Sequence, residues 1–223
     1  PFCVLRRKCA STATWSRSTR LDGELRRSGA NSWLSGAKPV ADWYIPPLAF
    51  LVRSVRWTTG SSDVWLTFDD GPHPDATPAV LKVLQEEKAR ACFFLLGKHV
   101  ERHPTLVRRM CEEGHGVANH SFFHQPVWFR KREDVAHELS RTNDVIAAAG
   151  GSKPTMFRPP FGRFDLGTPR VARAAGLETV LFGVNSWDFA GGSPTTIVDR
   201  VVHRTRPGDI LLFHDNDRTA GFI

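Results

Sequence analysis

Thr67-Phe68-Asp69-Asp70-Gly71-Pro72 follows the short apolar run Val64-Trp65-Leu66 and stops at two turn-forming residues. A strand sends successive side chains to opposite faces, so Asp69 and Asp70 cannot both enter apolar packing. At least one must meet water, a metal or a substrate. Asp, Gly and Pro are also turn formers, and an Asx-type turn closing a strand is the simpler alternative. The flanking sequence has to decide between them.

Working outward, a regular alternation begins at Val64. A strand over 64–69 precedes a helix in which Thr77 is expected as the cap and Pro78 as the first position, with Val80, Leu81, Val83 and Leu84 as its apolar face. Ala91-Cys92-Phe93-Phe94-Leu95-Leu96 is a continuous apolar run ending at Gly97, the pattern of a strand buried on both faces in a parallel sheet. A helix is expected from Pro104 to Gly114, with Leu106, Val107, Met110 and Cys111 inward. Gly116-Val117-Ala118-Asn119 then leads into His120, and a longer helix over 133–149 carries Val135, Leu139, Thr142 and Ile146 on one stripe. Three further strands are expected: 155–157 entering Arg158-Pro159-Pro160-Phe161-Gly162, 179–184 entering Asn185-Ser186-Trp187-Asp188-Phe189, and 209–213 entering His214-Asp215. Between them lie helices over 168–175 and from Ser193-Pro194, the latter with Ile197, Val198, Val201 and Val202 inward.

Strands that alternate with helices in this way predict a parallel α/β architecture. The Asp pair, His120, Arg158, Asp188 and His214 all fall just past the C-terminal ends of expected strands. In a parallel barrel those ends gather on one face, where barrel enzymes carry their chemistry. Independent turns do not explain five polar clusters at equivalent positions.

The composition, 41% hydrophobic and 24% charged over 223 residues, is that of a globular domain able to bury a full core. The net charge of +7 is unevenly placed: residues 1–60 carry ten Lys or Arg against three Asp or Glu, and residues 61–223 carry twenty of each. The expected division is a basic, poorly defined N-terminal extension over 1–60 and a folded domain over 61–223. A neutral domain argues against a nucleic-acid partner, which would want a basic face. The apolar segment 42–57 is expected to pack on the outside of the domain. Its longest apolar run, Tyr44–Val52, contains two prolines and is far shorter than the roughly 20 residues of a membrane span. No signal peptide is visible. None of Cys3, Cys9, Cys92 and Cys111 forms a C-x-x-C pair, and the last two read as small buried hydrophobes.

His120-Ser121-Phe122-Phe123-His124 places two imidazoles four residues apart; if helical, they share a face. With a carboxylate from a neighbouring strand end they make a two-His, one-carboxylate set with open coordination positions. The alternative is one core histidine and one surface histidine. Arg158 heads a proline-stiffened turn that could be only a loop, and Asp188 could be only a loop carboxylate. His214 sits at the lip of a buried strand, where a carboxylate partner could tune it for acid work. His73, His99, His103, His115, His137 and His203 lack such company and are read as surface, cap or loop residues.

TFDDGP, H-S-x-x-H, R-P-P-F-G, N-x-x-D-F and L-F-H occur in the order and spacing of the five motifs of the polysaccharide deacetylases, the NodB-like domains of carbohydrate esterase family 4, and residues 63–217 resemble that family. The resemblance implies a distorted (β/α) barrel with fewer than eight regular strands. It implies a metal-dependent hydrolase that removes N-acetyl groups from an amino-sugar glycan of chitin-oligomer or peptidoglycan type, releasing acetate. Related alternatives are an O-acetyl xylan deacetylase, a C–N hydrolase of a small cyclic amide, and an inactive carbohydrate-binding barrel. Carried over by position, Asp69 is the expected base and His214 the expected acid, with Arg158 holding the base and Asp188 tuning the acid. Asp70, His120 and His124 are the expected ligands of a divalent metal, zinc first, with cobalt or another transition metal as alternatives. Phe161 would lend a backbone N–H to an oxyanion hole, Leu212 would line the acetyl-methyl pocket, and Phe189 would form an apolar wall. Asn185, Phe161 and Phe189 stand where the family often has Asp, Tyr and Trp. Family members usually continue through another helix and strand, so a C-terminal truncation is expected, and the family favours the cell envelope or the extracellular space. The implied partner is an acetylated carbohydrate, with the oligomeric state left open.

Overall fold

The computed structural model describes residues 54–150 and 152–221; the N-terminal extension, with Cys3 and Cys9, lies outside them save for its last residues. Among the described residues eight strands form one sheet in the order β1-β6-β5-β4-β3-β2-β8-β7. They are β1 (Val55–Arg56), β2 (Trp65–Asp69), β3 (Cys92–Leu95), β4 (Gly116–Asn119), β5 (Met156–Phe157), β6 (Glu178–Val180), β7 (Val184–Asn185) and β8 (Ile210–His214). Every pairing between them is parallel. The helices are α1 (Ala76–Glu86), α2 (Gly97–Arg102), α3 (Pro104–Glu112), α4 (Arg132–Gly150), α5 (Thr168–Ala174) and α6 (Pro194–Arg204). The expected barrel is present as a curled half-barrel. It has eight strands rather than fewer, but β1, β5 and β7 are only two residues long.

The two-residue alternation of the strands builds two layers of core. On β3, Phe93 and Leu95 pack outward against Leu81 and Leu84 of α1, Val107 and Met110 of α3, and Ile146 of α4. Cys92 and Phe94 face the other way, into the barrel, with Trp65, Ala118, Val180 and Ile210. On β2 the same alternation places Phe68 in the helix layer and Trp65 in the interior. Thr67 and Asp69 share the parity of Trp65, so the first carboxylate of the opening motif enters the barrel mouth.

The expected strand over 179–184 divides. Its first part is β6, between β5 and β1; its last part begins β7, beside β8 at the other end of the sheet. Residues 181–183 carry the chain across, with Leu181 N–H on the Arg56 carbonyl at 2.8 Å and Gly183 N–H on the Ile210 carbonyl at 2.9 Å. Apolar residues on both sides of the crossing hide it, although Gly183, exposed at the crossing, interrupts the run. β1 shows that the sheet starts ahead of residue 61, and that the end of the 42–57 segment is a strand rather than an outer layer.

Three helix expectations change. The N-cap of α1 is Asp75, and Thr77 lies buried in the first turn, where its hydroxyl binds the Asp215 carboxylate at 2.5 Å. Val83, Val198 and Val202 point outward at 50%, 57% and 66% exposure, so the buried faces of α1 and α6 are narrower than the apolar residues suggest. Finally, α2 follows β3 immediately at Gly97, where only a strand end was expected. Cys92 is buried and Cys111 is half-buried. Among the described residues no helix is long and apolar enough to cross a membrane.

Gly97 packs against the Phe122 ring so closely that a Cβ would overlap it. That ring is buried and capped by the Arg141 guanidinium 3.7 Å from its centroid, so it cannot give way. Gly97→Ala is expected to destabilise the fold by about 1–3 kcal/mol, the usual range for overpacking, read as a lower urea midpoint at unchanged slope.

Candidate active site

The C-terminal ends of β2, β4, β5 and β8 converge on a cleft of about 580 Å³ lined by Asp69, Asp70, His120, His124, Phe161 and His214 among others. Asp69 and His214 are register partners on β2 and β8, so their backbones are adjacent. Asp69 is buried and its Oδ1 accepts from Arg158 Nη1 at 2.7 Å. Arg158, fully buried at the end of β5, crosses the barrel to do so. Its remaining donors reach the Thr67 hydroxyl at 2.9 Å, the Leu181 carbonyl at 3.1 Å and the Val180 carbonyl at 3.4 Å, and its Cζ lies 4.0 Å from the Phe94 ring centroid.

Asp70 leaves β2 with a positive φ of 79°, a left-handed conformation that Asp tolerates better than most residues. Its Oδ1 then lies 3.5 Å from His120 Nε2 and 3.3 Å from His124 Nε2. Its Oδ2 accepts from Asn216 Nδ2 at 2.9 Å. Burial by itself disfavours the Asp70 charge, but the fields of His120, His124 and His214 and the Asn216 hydrogen bond outweigh it and hold the pKa below the usual carboxylate value.

The segment His120–His124 is not helical. His120 follows the end of β4, and the left-handed residues Ser121 (φ 69°) and His124 (φ 60°) fold the loop so that the second imidazole comes beside the first, their centroids 5.2 Å apart. His120 Nδ1 donates to the Arg158 carbonyl at 2.7 Å; a carbonyl can only accept, so a neutral His120 keeps its lone pair on Nε2. Burial, with the neighbouring His120 charge, pushes His124 down to about 4, which keeps that imidazole neutral at pH 7. One ligand atom from each of Asp70, His120 and His124 lies within 4.8 Å of the others. Asp70 Oδ1 is buried without a hydrogen-bond partner. An orphaned carboxylate oxygen facing the Nε2 atoms of two imidazoles fits a cation better than it fits any protein group, so these residues suit a divalent metal.

On the opposite lip, His214 Nδ1 is 2.7 Å from Asp188 Oδ1, and its backbone N–H donates to Asp188 Oδ2, also at 2.7 Å. Burial alone would lower the His214 pKa; the Asp188 bond and charge and the fields of Asp69 and Asp70 outweigh it and raise it. Phe189 stands edge-on to His214 with centroids 5.1 Å apart, and Phe161, at φ 61°, stands edge-on to His124 at 4.5 Å. Leu212 lines the floor.

A family pattern described as polysaccharide deacetylase matches residues 56–180. The chain belongs to the polysaccharide deacetylase family. It is 38% identical over 158 residues to the chitooligosaccharide deacetylase of Rhizobium leguminosarum bv. trifolii, covering 70% of this chain and 74% of that one. Its structure resembles that of the Bc1960 peptidoglycan N-acetylglucosamine deacetylase, with a TM-score of 0.73 at 27% identity over 78% of this chain and 82% of that one. It also resembles a CE4 family pseudoenzyme from Bacillus anthracis, with a TM-score of 0.70 at 25% identity over 75% of this chain and 60% of that one. The fold is therefore shared by proteins with and without activity, and the site has to carry the functional argument.

All ten residues singled out in the sequence lie at or beside the cleft. Three others were missed. Asn216 binds Asp70, His99 donates to the Asp70 carbonyl at 2.8 Å, and Asp215 is fully buried behind the Asp pair. Burial drives the Asp215 carboxyl up to about 8; the Thr77 hydroxyl opposes that rise and the Asp70 and Asp69 charges add to it, so it is uncharged at pH 7. A Cβ on Gly71 would overlap this carboxyl, which explains glycine in the opening motif. Asp215 and Asn216 directly follow His214, and that adjacency was the available signal.

His214 gives a pH prediction. A histidine whose folded pKa is raised contributes stability that is fully present below its unfolded value near 6.5 and is lost as pH rises through the folded value. Asp188→Asn removes the Asp188 charge, weakens the bond to Nδ1 and leaves burial, so the His214 ring protons, followed by NMR in chelator, are expected to titrate at lower pH than in the parent. The stability lost by the parent over that rise should shrink in parallel.

Proposed function

We propose that this chain is a metal-dependent hydrolase that removes N-acetyl groups from an amino-sugar glycan of chitin-oligomer or peptidoglycan type and releases acetate. The observation that carries the reading is the pairing across the cleft: a buried carboxylate and an imidazole on register-partner residues, each fixed by its own ion-pair partner, beside a three-ligand set. The named activities of the relatives support the same substrate class.

Asp70, His120 and His124 would hold the metal, and the chemistry it supplies when bound is Lewis-acid activation of water and of an amide carbonyl. Arg158 occupies Asp69 Oδ1 and leaves Oδ2 to take a proton from the attacking water. The water oxygen bonds to the acetamide carbon as that proton leaves. The backbone N–H of Phe161 is assigned to the developing oxyanion, a donor type typically worth about 10²–10³ in rate. His214, with Nδ1 turned to Asp188, gives its Nε2 proton to the nitrogen as the C–N bond breaks. The products are acetate and a free amino sugar. Leu212 limits the acyl pocket, while Phe189 and Phe161 offer apolar walls to sugar faces.

The test is acetate release from chitin oligomers, peptidoglycan fragments and acetyl-xylan, with and without chelator. Release from the N-acetylated glycans that stops in chelator and returns on adding zinc or cobalt is expected. Asp69→Asn and His214→Ala should each lower kcat by about 10²–10⁴, the usual range for general acid–base groups. Release that persists in chelator or in Asp70→Ala would sink the metal assignment. Binding of a glycan without release would favour an inactive barrel.

A further inference from the structure

The loop carrying His120 and His124 is folded by residues that never enter the cleft. Asn119, fully buried, accepts from Ser121 N–H at 2.8 Å through Oδ1 and donates through Nδ2 to the Leu139 carbonyl at 3.0 Å and Asn143 Oδ1 at 2.8 Å. The Ser121 hydroxyl accepts from His124 N–H at 3.2 Å. Phe122 and Phe123, two of the three residues between the histidines, are held by Glu138 on α4. Its Oε1 accepts from Phe122 N–H at 3.0 Å and Phe123 N–H at 3.2 Å, and its Oε2 pairs with Arg130 Nη1 at 2.5 Å.

Glu138 is only 7% exposed and lies on the apolar stripe of α4, beside Leu139 and Thr142. A carboxylate there must be matched by donors or it costs several kcal/mol, and this one is matched by two backbone amides of the loop and a guanidinium. The grip meets the loop where it is under most constraint, between the left-handed residues Ser121 and His124. Phe122 completes the anchorage, with its ring buried between Gly97 and Arg141.

We propose that Glu138 is a positioning residue for the two-histidine set: by accepting from Phe122 and Phe123 N–H it fixes the loop fold that brings His124 to His120. The inference rests on the metal reading above. It assigns no chemistry to Glu138 itself. Partners behind metal ligands commonly affect affinity by about ten- to hundred-fold, and that is the effect expected here.

The experiment is cobalt(II) binding to the metal-free protein, read by competition with a coloured chelator and by the visible absorption of the bound ion. Glu138→Met removes both acceptors and is expected to weaken cobalt about ten- to hundred-fold and to alter the absorption. Glu138→Gln keeps an acceptor for the two N–H groups and should recover most of that loss. A general loosening of the fold would not sort the two variants in that way. Parental affinity and spectrum in folded Glu138→Met overturn the inference, as does Glu138→Gln binding no better than Glu138→Met. Should Glu138→Met not fold, Arg130→Met decides: it frees Oε2, lets the carboxylate turn off the amides and weakens cobalt, and unchanged affinity there overturns the proposal. A parent chain that binds no cobalt overturns the metal reading together with this one, whereas a binding parent with unaltered variants overturns this one alone.

Discussion

The ion pair between Arg158 and Asp69 is the constraint on which the interior depends. It joins the end of β5 to the end of β2 across the barrel, and both side chains are almost wholly out of water. Two such charges cost several kcal/mol each to desolvate, and only near-complete hydrogen bonding makes the burial tolerable. Arg158 meets that condition by also bonding Thr67, Val180 and Leu181 and lying over Phe94. The carbonyls of Val180 and Leu181 are open to it because the chain leaves the sheet there to cross from β6 to β7. The irregularity of the barrel and the placing of the buried cation thus have one origin. The Arg158 carbonyl in turn fixes the His120 tautomer, so the same residue touches the proposed base and a candidate metal ligand.

Electrostatics around the cleft divide the carboxylates by surroundings. Asp70, facing imidazoles and an amide donor, is held ionised, while Asp215, walled in with one hydroxyl, is held neutral. Asp188 is spent on His214. The cleft therefore gathers four carboxyl groups without four uncompensated charges, each matched by a cation, a histidine or a proton.

The fold was legible in the sequence because its signals are local. Apolar runs marked the strands, glycines ended the helices, and polar residues recurred at strand ends, where a parallel sheet must gather them. The site was legible to the same depth, since Asp69, Asp70, His120, Arg158, Asp188 and His214 occupy just those positions. What stayed hidden depends on direction rather than residue type. The left-handed turns at Asp70, Ser121, His124 and Phe161 aim their groups in ways no spacing encodes, and the two histidines look helical by count but are not. The divided strand at 179–184 is hidden because both halves are equally apolar. Glu138 and Asn143 were visible as polar residues on a buried helical stripe, a pattern that asks for a partner but does not say which.

The two sides of the cleft are anchored with unequal firmness. Asp69 is locked through Arg158 into the barrel interior, and a change there leaves a buried charge alone, at a typical cost of about 3–5 kcal/mol. His214 and Asp188 sit at the rim and satisfy mainly each other. Substitutions at the rim can therefore remove the proposed proton donor while the scaffold survives, whereas substitutions at the interior side endanger both at once. On this architecture the proposed activity and the fold are separable at the rim and inseparable in the interior.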